Sequence, residues 1–203
     1  MQTLKEEIHD RILSAALNEF DQYGYSQSSM RRIASEAGIT TGNIYRYFGS
    51  KDELFQALIR PTYLTFMQLI LTLKEEVDQD LFKDIPEQMG LVDETFSRLI
   101  TLLEEARRET KILLTQSEGS SFEHAKRELT DIIVQIFSSV MFPGQGELGP
   151  TDRTAVTILA LTIVEGVCIT LQTVSEREQI RHSFLELAAV FAAGLKEKAA
   201  RQC

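Results

Sequence analysis

The stretch Thr40-Thr41-Gly42-Asn43-Ile44-Tyr45-Arg46-Tyr47-Phe48-Gly49-Ser50-Lys51 decides how this chain is read. Ile44 and Phe48 lie four residues apart, so on a helix they share one buried face. Thr41, Asn43, Tyr45, Arg46 and Tyr47 cover the rest of the cylinder, and each can donate a hydrogen bond. A helix facing only solvent favours Glu, Lys and Ala, which have better helix propensity. The composition of this face suits a partner that accepts hydrogen bonds and carries negative charge, as DNA does.

Outward from this stretch, nearly everything has helical character. Only four prolines interrupt the 203 residues, and no β-branched run alternates with period two. Ile8, Ile12, Leu13, Ala16, Leu17 and Phe20 recur at helical spacing and define a first amphipathic helix, with Gly24 as its stop. Ser26, Ser28 and Ser29 supply N-cap candidates for a short second helix over residues 30–37, which buries Ile33, Ala34 and Ala37 and ends at Gly38. Thr40 caps the third helix. Two short helices around a tight Gly-containing turn predict a helix-turn-helix.

Ser50 and Glu53 have capping-box spacing at the start of a fourth helix, in which Pro61 is a possible kink or break. Further helices are expected over about residues 87–109, 122–141, 152–174 and 175–198, with residues 111–114 undecided. Residues 142–150, rich in Gly and Pro, read as a loop. The last two helices interleave small residues with Ile158, Leu159, Ile163, Gly166, Phe184, Leu187, Ala188, Phe191 and Leu195. The apolar stripe is wider than one neighbour needs, which favours a two-fold dimer interface over a buried intradomain hairpin.

The net charge of −9 argues against indiscriminate coating of nucleic acid. The charges are unevenly placed. Residues 1–60 carry Lys5, Arg11, Arg31, Arg32, Arg46, Lys51 and Arg60 against a similar number of acids, and the negative excess lies beyond. A near-neutral head on an acidic body suits a protein that meets DNA at one end. An N-terminal signal pattern and an uninterrupted apolar run of membrane-spanning length are both missing, and Cys168 and Cys203 form no Cys/His cluster. Cytoplasmic residence without a membrane is the simple expectation. No Gly-rich phosphate loop, metal-ligand spacing or nucleophile–base constellation is evident, so neither a cofactor nor an enzyme is expected. His9, His124 and His182 have no i,i+4 partner.

Residues from about 8 to 60 resemble the TetR family of bacterial transcription regulators. The matching residues are Ile12-Leu13, Ala15-Ala16, Phe20, Gly24-Tyr25, Arg32-Ile33-Ala34, Ala37-Gly38-Ile39-Thr40, Gly42 to Phe48, Lys51 and Leu54-Phe55. The remainder is similar only in length, helical character and its terminal helix pair. The resemblance implies an all-α fold of about nine helices. Residues 1–50 would form a three-helix DNA-binding head, and residues 51–203 an effector-binding and dimerisation domain.

It further implies a homodimer, joined through the last two helices, that binds a pseudo-palindromic double-stranded operator. A small molecule would release the DNA, and repression is the expected mode. Thr40, Thr41, Gly42, Asn43, Tyr45, Arg46 and Tyr47 match recognition-helix positions. Ser28 and Ser29 match hydroxyls that touch phosphate, Arg31 a residue that reaches a base in some members, and Lys51 a phosphate-binding lysine. Physically, hydroxyls and Lys51 suit phosphate, whereas Arg31, Arg46 and Asn43 suit bases. Three alternatives stand beside these roles: Tyr45 packed inward, Arg46 paired with Asp52 or Glu53, and Ser28 as a plain N-cap.

Between residues 52 and 142, Tyr63, Phe66, Met67, Met89, Phe96, Phe122, Phe137 and Met141 are candidates to line a pocket for a lipophilic effector, although such residues also build ordinary cores. Glu165, in an apolar helix, faces that pocket, pairs with a cation across the dimer, or escapes to the surface. A different class of function, a helical dimer that engages protein or ligand without DNA, accounts for the C-terminal half but not for the face of residues 40–51.

Overall fold

The computed structural model describes residues 2–79 and 85–200, without side-chain detail at 2–4, 85–93, 96, 192, 195, 196 and 198–200. The described residues are all-helical: α1 (Gln2–Gln27), α2 (Met30–Glu36), α3 (Thr41–Ile44), α4 (Lys51–Asp78), α5 (Ile85–Glu105), α6 (Arg107–Thr115), α7 (Ala125–Met141), α8 (Pro150–Thr173) and α9 (Arg177–Ala200). They form two compact units. The first holds the chain up to Leu64 together with Ala106–Ala125, and the second holds Thr65–Glu105 and the chain from Lys126 onward. By packing, the start of α4 and the whole of α6 therefore belong with the first three helices.

In the first unit, α1 buries Ile12, Ala15, Ala16 and Phe20, the stripe expected from its periodicity. Its helical geometry breaks at Gly24, where φ is 69° and ψ 169°. Only glycine reaches that region without strain. The freed Tyr25 N–H donates to the Gln116 carbonyl at 2.8 Å. Helix α2 begins after Ser29 and ends at Ala37, followed by Gly38 with φ 68°. Arg11 of α1 donates to the Ala37 carbonyl and so satisfies one of the last acceptors of α2.

Helix α3 is shorter than its pattern suggests. Regular α geometry covers only Thr41–Ile44, and Arg46 and Tyr47 then bond back three residues, to Asn43 and Ile44. This tightened turn is the 3₁₀ form common at helix ends. Phe48 still bonds to Ile44, and both anchors are buried, at 4% and 0% exposure. Ser50 caps α4 by accepting from Glu53 N–H at 3.0 Å. Glu53 reaches back to the Gly49 N–H at 2.7 Å, one residue earlier than a capping box requires. Pro61 lies inside α4, which continues past it as one helix.

Helix α6 docks on α1 through ions and amides. Arg108 bonds Asp21 at 3.1 Å and Asn18 at 2.8 Å, Lys111 pairs with Asp21, and the Gln116 amide donates to the Asp21 carbonyl at 3.1 Å. Asp52, in the first turn of α4, accepts from Ser121 N–H at 3.0 Å and from the Gln56 amide at 2.7 Å. Phe20, Tyr25, Phe55, Tyr63 and Phe122 form a continuous aromatic cluster beneath these bonds.

The second unit contains the rest. The expected helix over residues 87–109 is instead two, because α5 stops at Glu105 and α6 restarts at Arg107 after Ala106, whose ψ of 36° is non-helical. Helix α7 starts at Ala125 rather than at 122. The N-cap of α8 is Gly149, not Asp152, and Pro150 takes the first position, where its missing N–H costs nothing. A Cβ on Gly166 would stand 3.1 Å from Leu187 Cδ2, so this glycine lets α8 and α9 approach closely.

Two substitutions test this account of the first unit. Gly24→Ala forces an L side chain into the glycine region and should cost about 1–3 kcal/mol in urea unfolding. For Asp52, burial opposes its charge, but bonds from Ser121, Gln56 and Tyr25 prevail and hold its carboxyl below the ordinary 3.8. A carboxyl depressed on folding stabilises above its unfolded pKa and loses that contribution as pH falls through the folded value. Asp52→Asn should thus be less stable than the native chain at pH 7, with the difference shrinking below pH 3.8.

Candidate nucleic-acid interface

The exposed face of the head is built on α2, α3 and the turn after α3. Thr40 is the N-cap of α3, its hydroxyl accepting from Asn43 N–H at 3.2 Å. Thr40, Thr41, Gly42 and Arg46 are exposed, Asn43 and Tyr47 half-buried, and Tyr45 is 50% exposed. Tyr45 therefore points outward, and the inward alternative falls. Asp52 and Glu53, the proposed partners of Arg46, are bonded instead to Ser121, Gln56, Gly49 and Ser50.

A Cβ on Gly42 would meet nothing within 4 Å. Nothing inside the chain requires glycine there, although glycine costs about 1 kcal/mol in a helix.

The junction between α1 and α2 lies beside this face. Arg31 and Arg32 are exposed in the first turn of α2, and Ser29 is half-buried at its N-cap. The Ser29 side chain makes no cap bond. Ser28 is different. Its hydroxyl donates to the Tyr25 carbonyl at 2.7 Å and the residue is 8% exposed, so its proton is already placed inside the head.

Lys51 also has an internal role. Its ammonium donates to the Tyr25 carbonyl at 2.7 Å and the Ser28 carbonyl at 3.3 Å, and it lies 4.3 Å from the centre of the Tyr25 ring. Burial lowers its pKa, with the charge of Glu19 acting the other way. An ammonium has three donors, so one remains after these two bonds.

Glu19 organises the junction, and the pattern reading passed over it. Its carboxylate is 4% exposed and accepts from Ser29 N–H at 2.8 Å and from Arg32 Nε at 2.7 Å, with Arg32 Nη2 at 2.5 Å. A signal was present in the sequence. Glu19 follows Ile12 by seven residues and Ala15 by four, which places an acid on the buried stripe of α1.

The candidate effector residues are dispersed. Phe66, Phe137 and Met141 are buried at 3%, 5% and 4% exposure, and Phe137 stacks on Phe191 at 5.8 Å. Met67 is half-buried. Tyr63 and Phe122 pack 5.0 Å apart in the aromatic cluster of the first unit. The side chains of Met89 and Phe96 fall outside those described. Glu165 is exposed at the surface, the third of its alternatives, and there it bonds Lys126 of the same chain at 2.5 Å. A cavity of 430 Å³ lies in the second unit, between the last turns of α4 and α7 and the loop that follows α7. Lys74, Asp78, Gln135, Ser139 and Phe142 are among its lining, which includes none of the nine candidates.

Helix α8 is apolar nearly all round. Val156, Ala160, Val164, Cys168 and Leu171 are buried, whereas Ile158, Leu161 and Ile169 are 57%, 44% and 56% exposed. On α9, Leu185 and Val190 are 45% and 69% exposed. Of the expected interface residues, Ile158 is exposed, and Leu159, Ile163, Gly166, Leu187, Ala188 and Phe191 are half-buried. Phe184 is 3% exposed in the chain's own core, and the side chain of Leu195 is not among those described. By length and composition α8 could also cross a membrane, with 28% of its most apolar stretch buried. No group of three or more potential metal ligands occurs among the described residues.

Residues 12–58 match the family model for bacterial regulatory proteins of the tetR family. The HTH-type transcriptional regulator HbdR of Aromatoleum sp. (strain CIB) is 35% identical over 78 residues, 38% of this chain and 31% of that one. The HTH-type transcriptional regulator UidR of Escherichia coli (strain K12) is 25% identical over 173 residues, 82% of this chain and 83% of UidR. A TetR-like transcriptional regulator from Rhodococcus sp. RHA1 shares the fold, with a TM-score of 0.55 and 20% identity over 92% of this chain and 96% of that one. The exposed donor-rich face over residues 40–47 lies inside the matched segment. Residues 12–58 are thus similar to the tetR-family regulatory segment, and the chain shares its fold with a TetR-like transcriptional regulator.

Proposed function

We propose that the chain is a ligand-released repressor that binds a pseudo-palindromic operator as a homodimer. The observation that carries this reading is the face of α3 and its following turn. Two buried anchors, Ile44 and Phe48, fix it, and Thr40, Thr41, Tyr45 and Arg46 stand exposed around the open backbone of Gly42. Arg31, Asn43 and Arg46 read base edges, since Arg pairs bidentately with guanine and Asn with adenine. Ser29, Thr40, Thr41 and Tyr47 fix register on phosphates. Lys51 joins them through its remaining donor, and Ser28 contributes by shaping the junction.

The homodimer is supported by the uncovered apolar side chains of α8 and α9. Five large hydrophobic residues exposed on two adjacent helices are a face that a second copy can cover. In a two-fold pair, the two hairpins form a four-helix bundle. Successive half-sites lie about 34–36 Å apart, so a change of a few ångströms disrupts binding.

The effector is a small molecule received by the second unit, where the buried Phe and Met side chains and the 430 Å³ cavity are the available material. Helix α4 is continuous from Lys51 to Asp78, and it carries the response. The ligand's differential affinity for two head spacings is the energy of the switch. As a bacterial regulator of this kind the protein acts in the cytoplasm.

Selection from random-sequence DNA should enrich a two-fold symmetric site. Arg46→Ala should lower affinity for that site by about 5–150-fold and relax preference at one base step per half-site, as loss of a bidentate contact worth about 1–3 kcal/mol requires. Unchanged affinity and preference would remove Arg46 from the reading. Ile169→Glu should convert the dimer to monomer in sedimentation equilibrium, and a variant that remains dimeric would place the interface elsewhere.

A further inference from the structure

Arg32 is the cation in the head whose position is least expected. It sits in the first turn of α2, next to Arg31 and three residues from Ser29, with 49% of its side chain exposed. By location it is a ready phosphate ligand. Yet its guanidinium is turned back on α1. Nε and Nη2 bond the Glu19 carboxylate at 2.7 and 2.5 Å, Nη2 donates to the Gln27 carbonyl at 2.7 Å, and the group lies 4.5 Å from the centre of the Tyr23 ring. Glu19, Gln27 and Tyr23 all belong to α1.

Glu19 is itself held in place by the backbone. The Ser29 N–H is bonded to the Glu19 carboxylate, itself 4% exposed.

We infer that Glu19 is a specificity-determining positioning residue, which holds Arg32 off the DNA, so that sequence-independent phosphate binding is restrained. The physical argument is a matter of balance. Each phosphate neutralised by a cation steepens the salt dependence by about 0.9 and raises affinity for any duplex. Such a contact carries no base information, so it lifts non-operator and operator binding together. Pairing Arg32 within the head leaves discrimination to Arg31, Asn43 and Arg46. The inference rests on the DNA-binding reading above.

The test uses the full-length dimer with fluorescence anisotropy on two duplexes, a selected operator and a scrambled sequence of equal length, across a salt series. Glu19→Gln keeps an acceptor for Ser29 N–H but removes the charge that holds Arg32. Its slope on the scrambled duplex should steepen by about one, equivalent to about eightfold tighter binding at 0.1 M salt relative to 1 M. The double variant Glu19→Gln, Arg32→Gln should return to the native slope. A purely structural role for Glu19 would weaken binding without steepening the slope, and that result overturns the inference. A double variant with a slope about one shallower than native would also overturn it, because Arg32 would then be on the phosphates already.

In the native protein, the Arg32 Nε–H resonance should stay in place when the scrambled duplex is added, and a shift on addition would contradict the account even if Glu19→Gln fails to fold. Native protein that binds neither duplex would overturn the DNA-binding reading itself, and this inference with it.

Discussion

The head depends on how the chain reverses between α1 and α2. The break at Gly24 turns the Tyr25 N–H out of the α1 ladder, and the residues up to Ser29 carry the chain round to α2. Buried polar groups without partners are costly, so each must be met. Three long charged side chains help to meet them. Lys51 reaches the carbonyls of Tyr25 and Ser28, Arg32 the carbonyl of Gln27, and Glu19 the N–H of Ser29. The Gln116 carbonyl takes the Tyr25 N–H. α1, α2, α4 and the end of α6 thus converge on the short reversal between Gly24 and α2.

This constraint changes the meaning of the charges. A count of cations over residues 31–51 treats them as a common pool for DNA. In the folded head they divide. Arg31 and Arg46 are exposed on the face, Arg32 is bonded back to α1, and Lys51 is engaged on two carbonyls with one donor remaining. A protein with a net charge of −9 cannot rely on general attraction to a polyanion, so where each cation points decides how it binds.

Much of the head was legible in the sequence because its signals are local. Helical spacing located α1, glycines at 24 and 38 marked its turns, and the alternation of Ile44 and Phe48 with donors identified the face. What periodicity does not reveal is which polar side chain has gone inside. Glu19 lies on an apolar stripe and reads as one more acid until its partners, 10 and 13 residues away, are seen. Ser28 and Lys51 carried a plausible outward role that packing partly redirects. The second unit was less readable for the opposite reason. Helix α8 is apolar on most of its circumference, so its pattern does not separate the side that packs on its own chain, with Val164, from the side left open, with Ile158. Pocket residues were the hardest, since Phe66, Phe137 and Met141 satisfy a core and a ligand by the same chemistry.

The central claim is that the exposed surface of α2, α3 and the following turn is where DNA binds. Amide hydrogen exchange of the native protein, with and without a duplex recovered by selection, tests it most directly. The account predicts slowed exchange at residues 29–31 and 40–47 on adding that duplex, with little change when a scrambled one is added at high salt. Protection confined to other parts of the chain, or none at all under conditions where the duplex is bound, would contradict it.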